Sequence, residues 1–333
     1  MRATVHRLRP RRRPRRALAG LGIAAAVLLT ACGGSSDSGS AQGGGTSTTS
    51  VTVGVIPIID VAPIYLGIQQ GFFKEQGLDV KLETAQGGAA IIPAVVSGQY
   101  QFGFSNTISL LVAESKGVPI KAVAAGVSST GKDGADFGAV VVPKDSPIKT
   151  AADLAGKRVA VNTLNNINTT TINKAVRDAG ADPSTINYTE LAFPDIAAAV
   201  AKGDVDAGQV VEPFLTIAKG QGMREVSSNY AATDPDLSVG MYFTSTNYTQ
   251  QNSTVVDQFV TAMRKSLDYA QSNSDAARTI LSTYTKIDPS VQKDVTLPRW
   301  SSDISRDSVT LLADLATQDK LIPAPPDLAT LLP

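Results

Sequence analysis

The sequence predicts an α/β fold built from two lobes, and its clearest evidence lies between Val51 and Thr107. Three short apolar runs, 51–56, 80–84 and 101–105, alternate there with two segments of helical periodicity, 62–70 and 89–97. That alternation argues parallel strands joined by crossover helices. A similar alternation recurs in the middle of the chain, and a helical tail follows it.

Taken in order, Gly71 supplies the left-handed cap that ends the first helix, and Phe72 and Phe73 fasten the turn to the core. Gly98 ends the second helix before the third strand. A fourth strand is expected over 118–124, and a Gly/Asp-rich loop over 128–137 borders the cleft. The strand 139–142 leads into Pro143 and is read as the first crossing into a second lobe. Thr150 and Asp153 have capping-box spacing for a short helix that Gly156 ends. Strand 159–161 precedes a long polar loop and a helix through Ala179. A turn at 183–186 leads to strand 188–191, and Asp195 is expected to N-cap a helix over 196–202. Strand 207–211 ends at Glu212, Pro213 and Phe214. Strand 239–245 crosses back, and helices are expected over 254–272, 274–284, 289–297 and 306–318.

Composition narrows the chemistry. The formal net charge of +0 hides an uneven distribution. Residues 1–31 hold eight arginines and no acid; removing those eight from 30 basic residues leaves 22 against 30 acidic, a net charge of about −8. A chain of that sign is not expected to bind nucleic acid. The basic opening and the fifteen-residue apolar run 17–31 have signal-peptide form, and the run is shorter than the roughly twenty residues a membrane span needs. The segment Leu29-Thr30-Ala31-Cys32 resembles a bacterial lipoprotein box, which implies lipidation at Cys32 and anchoring to the outer face of the cell membrane. Residues 33–50 read as a Gly/Ser/Thr tether. The only histidine, His6, lies in the signal segment, and Cys32 is the only cysteine. Serine triads, Cys–His dyads, His-ligated metals and disulfides are therefore outside the inventory of residues 33–333. No cofactor and no metal are expected.

Ligands of open parallel sheets bind beyond the carboxyl ends of the strands. Those ends carry Ile58, Ile59 and Asp60, then Gln86, Gly87 and Gly88, then Ser105, Asn106 and Thr107. The third group opens a helix, whose free N–H groups favour oxygen-rich ligands, although the same residue types also serve as plain caps. Gln86, Gly87 and Gly88 permit close backbone approach or a simple turn. Asp60 either caps the first helix or faces ligand. On the second lobe, the uncharged loop 162–169 supplies Thr163, Asn165 and Asn166. Glu212 faces the cleft or the hinge. No Lys or Arg occupies these positions; Lys132 and Arg299 are the nearest by connectivity. Tyr65, Phe104, Phe137, Phe193 and Tyr242 are available as core or as an apolar wall.

The segments PIYLGIQQGFFKEQGLDV, SGQYQFGFSN and GVPIKAVAA, followed by KTAADLAGKRVAV and AAAVAKGDVDAGQVVEPF, resemble the solute-binding lipoproteins of the nitrate/sulfonate/taurine, NMT1/THI5-like type. The resemblance implies a type II periplasmic-binding-protein fold with a two-crossing hinge. It places the first lobe at 51–141 plus 240–333 and the second at 142–239. It also implies a monomeric, non-enzymatic receptor that closes on a small molecule, a sulfonate or taurine-like compound or a nitrogen heterocycle, and delivers it to an ABC permease and its ATPase. Two other readings stay open: a pyrimidine-synthase-like enzyme, a branch that uses an active-site histidine and a cysteine-rich iron motif, and a solute sensor without a permease.

Overall fold

The computed structural model describes residues 48–333. The signal segment, Cys32 and most of the tether lie outside the described residues. The tether expected through residue 50 ends sooner, because β1 (Thr49–Val55) already pairs at Thr49 with Leu78 of β2 (Leu78–Thr84).

Ten strands form two five-stranded sheets. In the first, β2, β1, β3 (Phe102–Asn106), β10 (Ser238–Ser245) and β4 (Ile120–Ser128) lie side by side. In the second the order is β7 (Asn187–Glu190), β6 (Arg158–Val161), β8 (Ala207–Val211), β5 (Gly138–Pro143) and β9 (Met223–Ser227). Both sheets contain one strand antiparallel to its neighbours, β10 in the first and β5 in the second. Each is the strand that directly follows a crossing, so the chain enters each sheet at an interior position.

This topology moves the expected boundary between lobes. β5 bonds to β8 and β9 of the second sheet, so the first crossing runs through 129–137 rather than ending near residue 141, and the second runs through 228–237. An apolar strand reads alike in either sheet; only its partners reveal which sheet owns it. The two crossings lie together: Ser129 N–H donates to Leu237 O at 2.9 Å. Arg299 fastens both, its guanidinium donating to Ser129 O at 2.8 Å and to Asp236 at 2.6 Å.

The helices fill in around the sheets. α1 (Ala62–Gln69), α2 (Phe72–Glu75), α3 (Gly88–Val96) and α4 (Thr107–Ser115) belong to the first lobe. α5 (Ile167–Asp178), α6 (Phe193–Lys202) and α7 (Phe214–Gly220) serve the second, and α8 (Asn229–Thr233) lies in the second crossing. The tail contributes α9 (Thr246–Gln251), α10 (Ser253–Ser272), α11 (Ser274–Thr279), α12 (Pro289–Gln292), α13 (Arg306–Gln318) and α14 (Leu328–Leu331). None of the helices among the described residues is long and apolar enough to cross a membrane.

α10 buries Val256, Phe259, Met263, Leu267 and Ala270, a helical stripe that packs on the first lobe. Its Phe259 ring stacks on Phe102 of β3 at 3.8 Å. In the second lobe α6 presses Ile196 onto Gly208 of β8, where a Cβ would sit 2.3 Å from the isoleucine; glycine is what allows that approach. The opposite face of the second sheet has its own cluster, including Val140, Val159, Ile172 and Val176.

Three local expectations change. α6 starts at Phe193 with Ala192 as N-cap, so Asp195 sits inside the first turn, because Pro194 suits the first helical positions. The helix expected over 274–284 is α only to Thr279 and continues as a 3-10 turn, Ile280–Thr283. The one expected over 289–297 stops at Gln292.

Candidate functional site

The carboxyl ends of parallel strands from both sheets converge on one cavity. Ile56, Ile58 and Asp60 follow β1, Phe104 and Asn106 end β3, and Asn162, Asn166, Ile167 and Asn168 face them from the second lobe. Phe193, Val211, Tyr230 and Val239 complete the wall. The cavity holds about 20 Å³, room for about one water molecule. It adjoins a groove of about 340 Å³ that shares Ile56, Ile58 and Phe193 and adds Gln86, Pro194 and Phe214.

Asp60 is the one ionisable carboxyl group in that cavity lining. It is 3% exposed, and its Oδ1 has no hydrogen-bond partner. It does not cap a helix: it lies within the 3-10 turn Ile59–Val61, and the N-cap of α1 is Val61 with no side-chain bond. Burial raises its pKa from 3.8 to about 7; its own backbone N–H opposes the shift and the Asp136 carboxylate adds to it.

The asparagines form a connected network. Asn162 Oδ1 accepts from Asn166 Nδ2 at 3.1 Å and from Asn168 Nδ2 at 2.7 Å, and Asn168 Oδ1 accepts from the Tyr230 hydroxyl. Asn166 also N-caps α5 in a capping box with Thr169. Asn106 caps α4: its Oδ1 accepts from Ser109 N–H and its Nδ2 donates to Ser109 Oγ, both at 2.9 Å.

Other expected site residues fall elsewhere. Gln86 and Asn162 meet across the seam, each side-chain amide donating to the other's carbonyl at 3.4 Å. Gly87 is extended (φ −163°), and a Cβ there would lie 2.5 Å from Thr163 Oγ1. Gly88 packs on Ser105, which is fully buried, and Thr107 Oγ1 donates to Ser238 O at 2.6 Å. Ser105, Thr107 and Gly88 thus support the wall from behind. Ile59 is buried, its N–H bonded to Glu212 O at 2.9 Å. Asn165 is exposed in a left-handed turn (φ 53°).

Glu212 does not line the cavity. Its carboxylate accepts from Thr216 N–H at 3.0 Å, Thr216 Oγ1 at 2.8 Å and Thr296 N–H at 3.0 Å, tying the second lobe to the tail. Burial raises its pKa against those bonds. Glu212→Ala is expected to cost about 2 kcal/mol in a urea unfolding series, because two backbone N–H groups lose their acceptor.

A second tie joins the lobes through α5 and α13. Arg177 Nη1 donates to Asp319 Oδ1 at 2.5 Å, and Asn173 Nδ2 donates to its Oδ2 at 3.0 Å. The Asp319 side chain is 5% exposed and that of Arg177 23%. Asp319→Ala is expected to cost about 2 kcal/mol by the same measurement, somewhat below a fully buried pair because water reaches the arginine.

Sequence reasoning missed Asn162, Asn168 and Tyr230 as lining residues, although the first two fall within the polar loop. Phe104 and Phe193 line the cavity, whereas Phe137 does not and packs tilted against Tyr230 at 5.4 Å. Lys132 and Arg299 do not line it. Among the described residues no group of three or more His, Cys, Asp or Glu side chains is arranged to hold a metal ion.

The family model NMT1/THI5 like matches residues 58–277, which takes in every strand but β1 and the cavity lining except Ile56. The chain belongs to the NMT1/THI5-like family. It is 32% identical over 151 residues to the taurine-binding periplasmic protein of Escherichia coli K12, covering 45% of each chain. It is 25% identical over 222 residues to a 4-amino-5-hydroxymethyl-2-methylpyrimidine phosphate synthase of Saccharomyces cerevisiae, covering 62% of each. The chain thus spans about half to three-fifths of these relatives' lengths. A solved structure of the alkanesulfonate-binding protein SsuA from Xanthomonas axonopodis pv. citri, bound to MOPS, superposes with a TM-score of 0.72 at 20% identity, covering 85% of this chain and 97% of that one. The NMT1/THI5-like chain therefore has the type II periplasmic-binding-protein fold.

Proposed function

We propose that the chain is an extracytoplasmic solute receptor, lipid-anchored through Cys32, that captures a small organic molecule between its lobes and hands it to an ABC permease. The solute is a taurine-like or other sulfonate, or a nitrogen heterocycle. One observation carries the reading: strand ends from both sheets meet at a cavity with space for a single water. A solute of several heavy atoms enters only if the lobes part, so binding and lobe movement are one event. The binding activities in the names of the Escherichia coli and Xanthomonas proteins support it.

The yeast relative raises a synthase reading. The only histidine and the only cysteine, His6 and Cys32, both fall outside the matched residues 58–277, so the histidine and cysteine chemistry of that branch has no counterpart there.

The receptor reading is tested by native mass spectrometry of the mature protein purified from its own host, together with uptake assays after deletion of the gene. A co-purified small molecule, and loss of that molecule's uptake, are the expected results. An empty protein whose deletion leaves uptake of taurine, alkanesulfonates and pyrimidines unchanged would overturn it. Mass spectrometry of the N-terminal peptide checks the anchor: the expected species starts at Cys32 and carries acyl chains.

A further inference from the structure

We propose that Asp60 receives a protonated amine or amidine-type nitrogen of the solute, which makes the captured compound an amine-bearing cation, zwitterion or aminoheterocycle rather than a sulfonate held by its anionic end alone. This inference rests on the receptor reading and narrows it.

The first support is an unfilled acceptor. Asp60 lines the cavity, its Oδ1 is buried and has no hydrogen-bond partner, and the capping role that would have employed it is absent. A buried carboxylate without a donor is costly, and a ligand that brings an N–H group relieves that cost on binding.

The second support is the state of the donors. A sulfonate presents three oxygens and a negative charge. The cavity and its adjoining groove are lined by no Lys, Arg or His. Arg299, the nearest by connectivity, is spent on Ser129, Pro235 and Asp236. Asn106 uses both ends of its amide on Ser109. The amide nitrogens of Asn166 and Asn168 donate to Asn162. An anion placed here would meet the Asp60 carboxyl and only neutral donors, the second N–H of each amide and the helix-start N–H groups, with no cation to balance its charge. A cationic or N–H-rich group meets an open acceptor, and its carbon body meets Ile58, Phe104 and Phe193.

Paired probes that differ by one amino group test this. Isothermal titration of the mature protein is run with taurine and ethanesulfonate, and with 4-amino-2-methylpyrimidine and 2-methylpyrimidine. At least one amino member is expected to bind at least about thirtyfold more tightly than its partner without the amine. Asp60→Asn is expected to remove at least about tenfold of that preference. Its folding is confirmed by a melting temperature no lower than the parent's. Should neither amino compound bind more tightly than its partner without the amine, or Asp60→Asn leave the preference intact, the inference falls while the receptor reading stands. Silence from all four probes also overturns the inference; the receptor reading is then decided by the co-purified molecule alone.

Discussion

Asp60→Asn is expected to raise the melting temperature of the ligand-free protein at pH 8 by roughly 5–10 °C and to leave it nearly unchanged at pH 4. Folding lifts the Asp60 pKa from 3.8 to about 7, so between those values the folded state keeps a proton that the unfolded chain has lost. Stability therefore falls as pH rises through that window, and the full cost stands above pH 7. A separation of about 3 pH units corresponds to an upper bound of about 4 kcal/mol. The surrounding groups do not confuse the measurement. Tyr65, Tyr230, Tyr242 and Tyr284 are all held above their usual pKa by burial, so they stay neutral throughout. Glu212 shifts in the same direction, but it is present in both proteins and cancels in the difference. A variant that melts lower than the parent at pH 8 would show that the carboxylate has an unrecognised partner.

Gly87→Ala is expected to weaken solute binding by at least about thirtyfold while moving the melting temperature of the empty protein by less than about 2 °C. The backbone at Gly87 is extended, a conformation any residue adopts, so the first lobe folds as before. The new methyl group would lie 2.5 Å from Thr163 Oγ1, on the opposite lobe, and holds the seam apart. Removing that oxygen removes the obstacle. Gly87→Ala combined with Thr163→Ala is therefore expected to bind within about threefold of Thr163→Ala alone, a coupling read from a double-mutant cycle by calorimetry. Gly88→Ala supplies the contrast. Its Cβ would meet Ser105 Oγ at 2.0 Å and Ser105 Cα at 2.7 Å within one lobe, so the fold itself loses stability. If the double variant binds no better than Gly87→Ala, the seam is not where the first substitution acts.

Strands and most helices were legible because apolar runs and turn residues mark them locally. Ownership of β5 was not, since hydrogen bonding to β8 and β9 depends on segments about 70 and 80 to 87 residues away. The three strand-end loops were legible as a group, but residues within them were not separated. In β3 a period of two separates them, Phe104 and Asn106 lining the cavity while Ser105 packs behind; beyond β1 a 3-10 turn, not strand alternation, brings Asp60 to the cavity beside Ile56 and Ile58. The alternation in β3 was available in the sequence; the turn after β1 was not. Glu212 was a harder case. A glutamate before proline at a strand end looks the same whether it meets a solute or two backbone amides, and the second amide, at Thr296, lies 84 residues away. Tyr230 gave no signal, because its bond to Asn168 spans 62 residues.

The pairing of Ser129 with Leu237, strapped by Arg299, holds the two crossings together as a fulcrum between the lobes. Asp60 and Tyr230 lie against this fulcrum, through Asp136 and Phe137. The Arg177–Asp319 pair lies far out: α13 leaves the fulcrum at Ser308, which accepts from Ser238 N–H, and Asp319 is about 16 Å further along the helix. A rotation that barely displaces Asp60 therefore sweeps the far pair through a large arc. The proposed solute recognition at Asp60 and lobe locking through the far pair are then separable quantities, one read as binding selectivity and the other as the fraction of closed molecules.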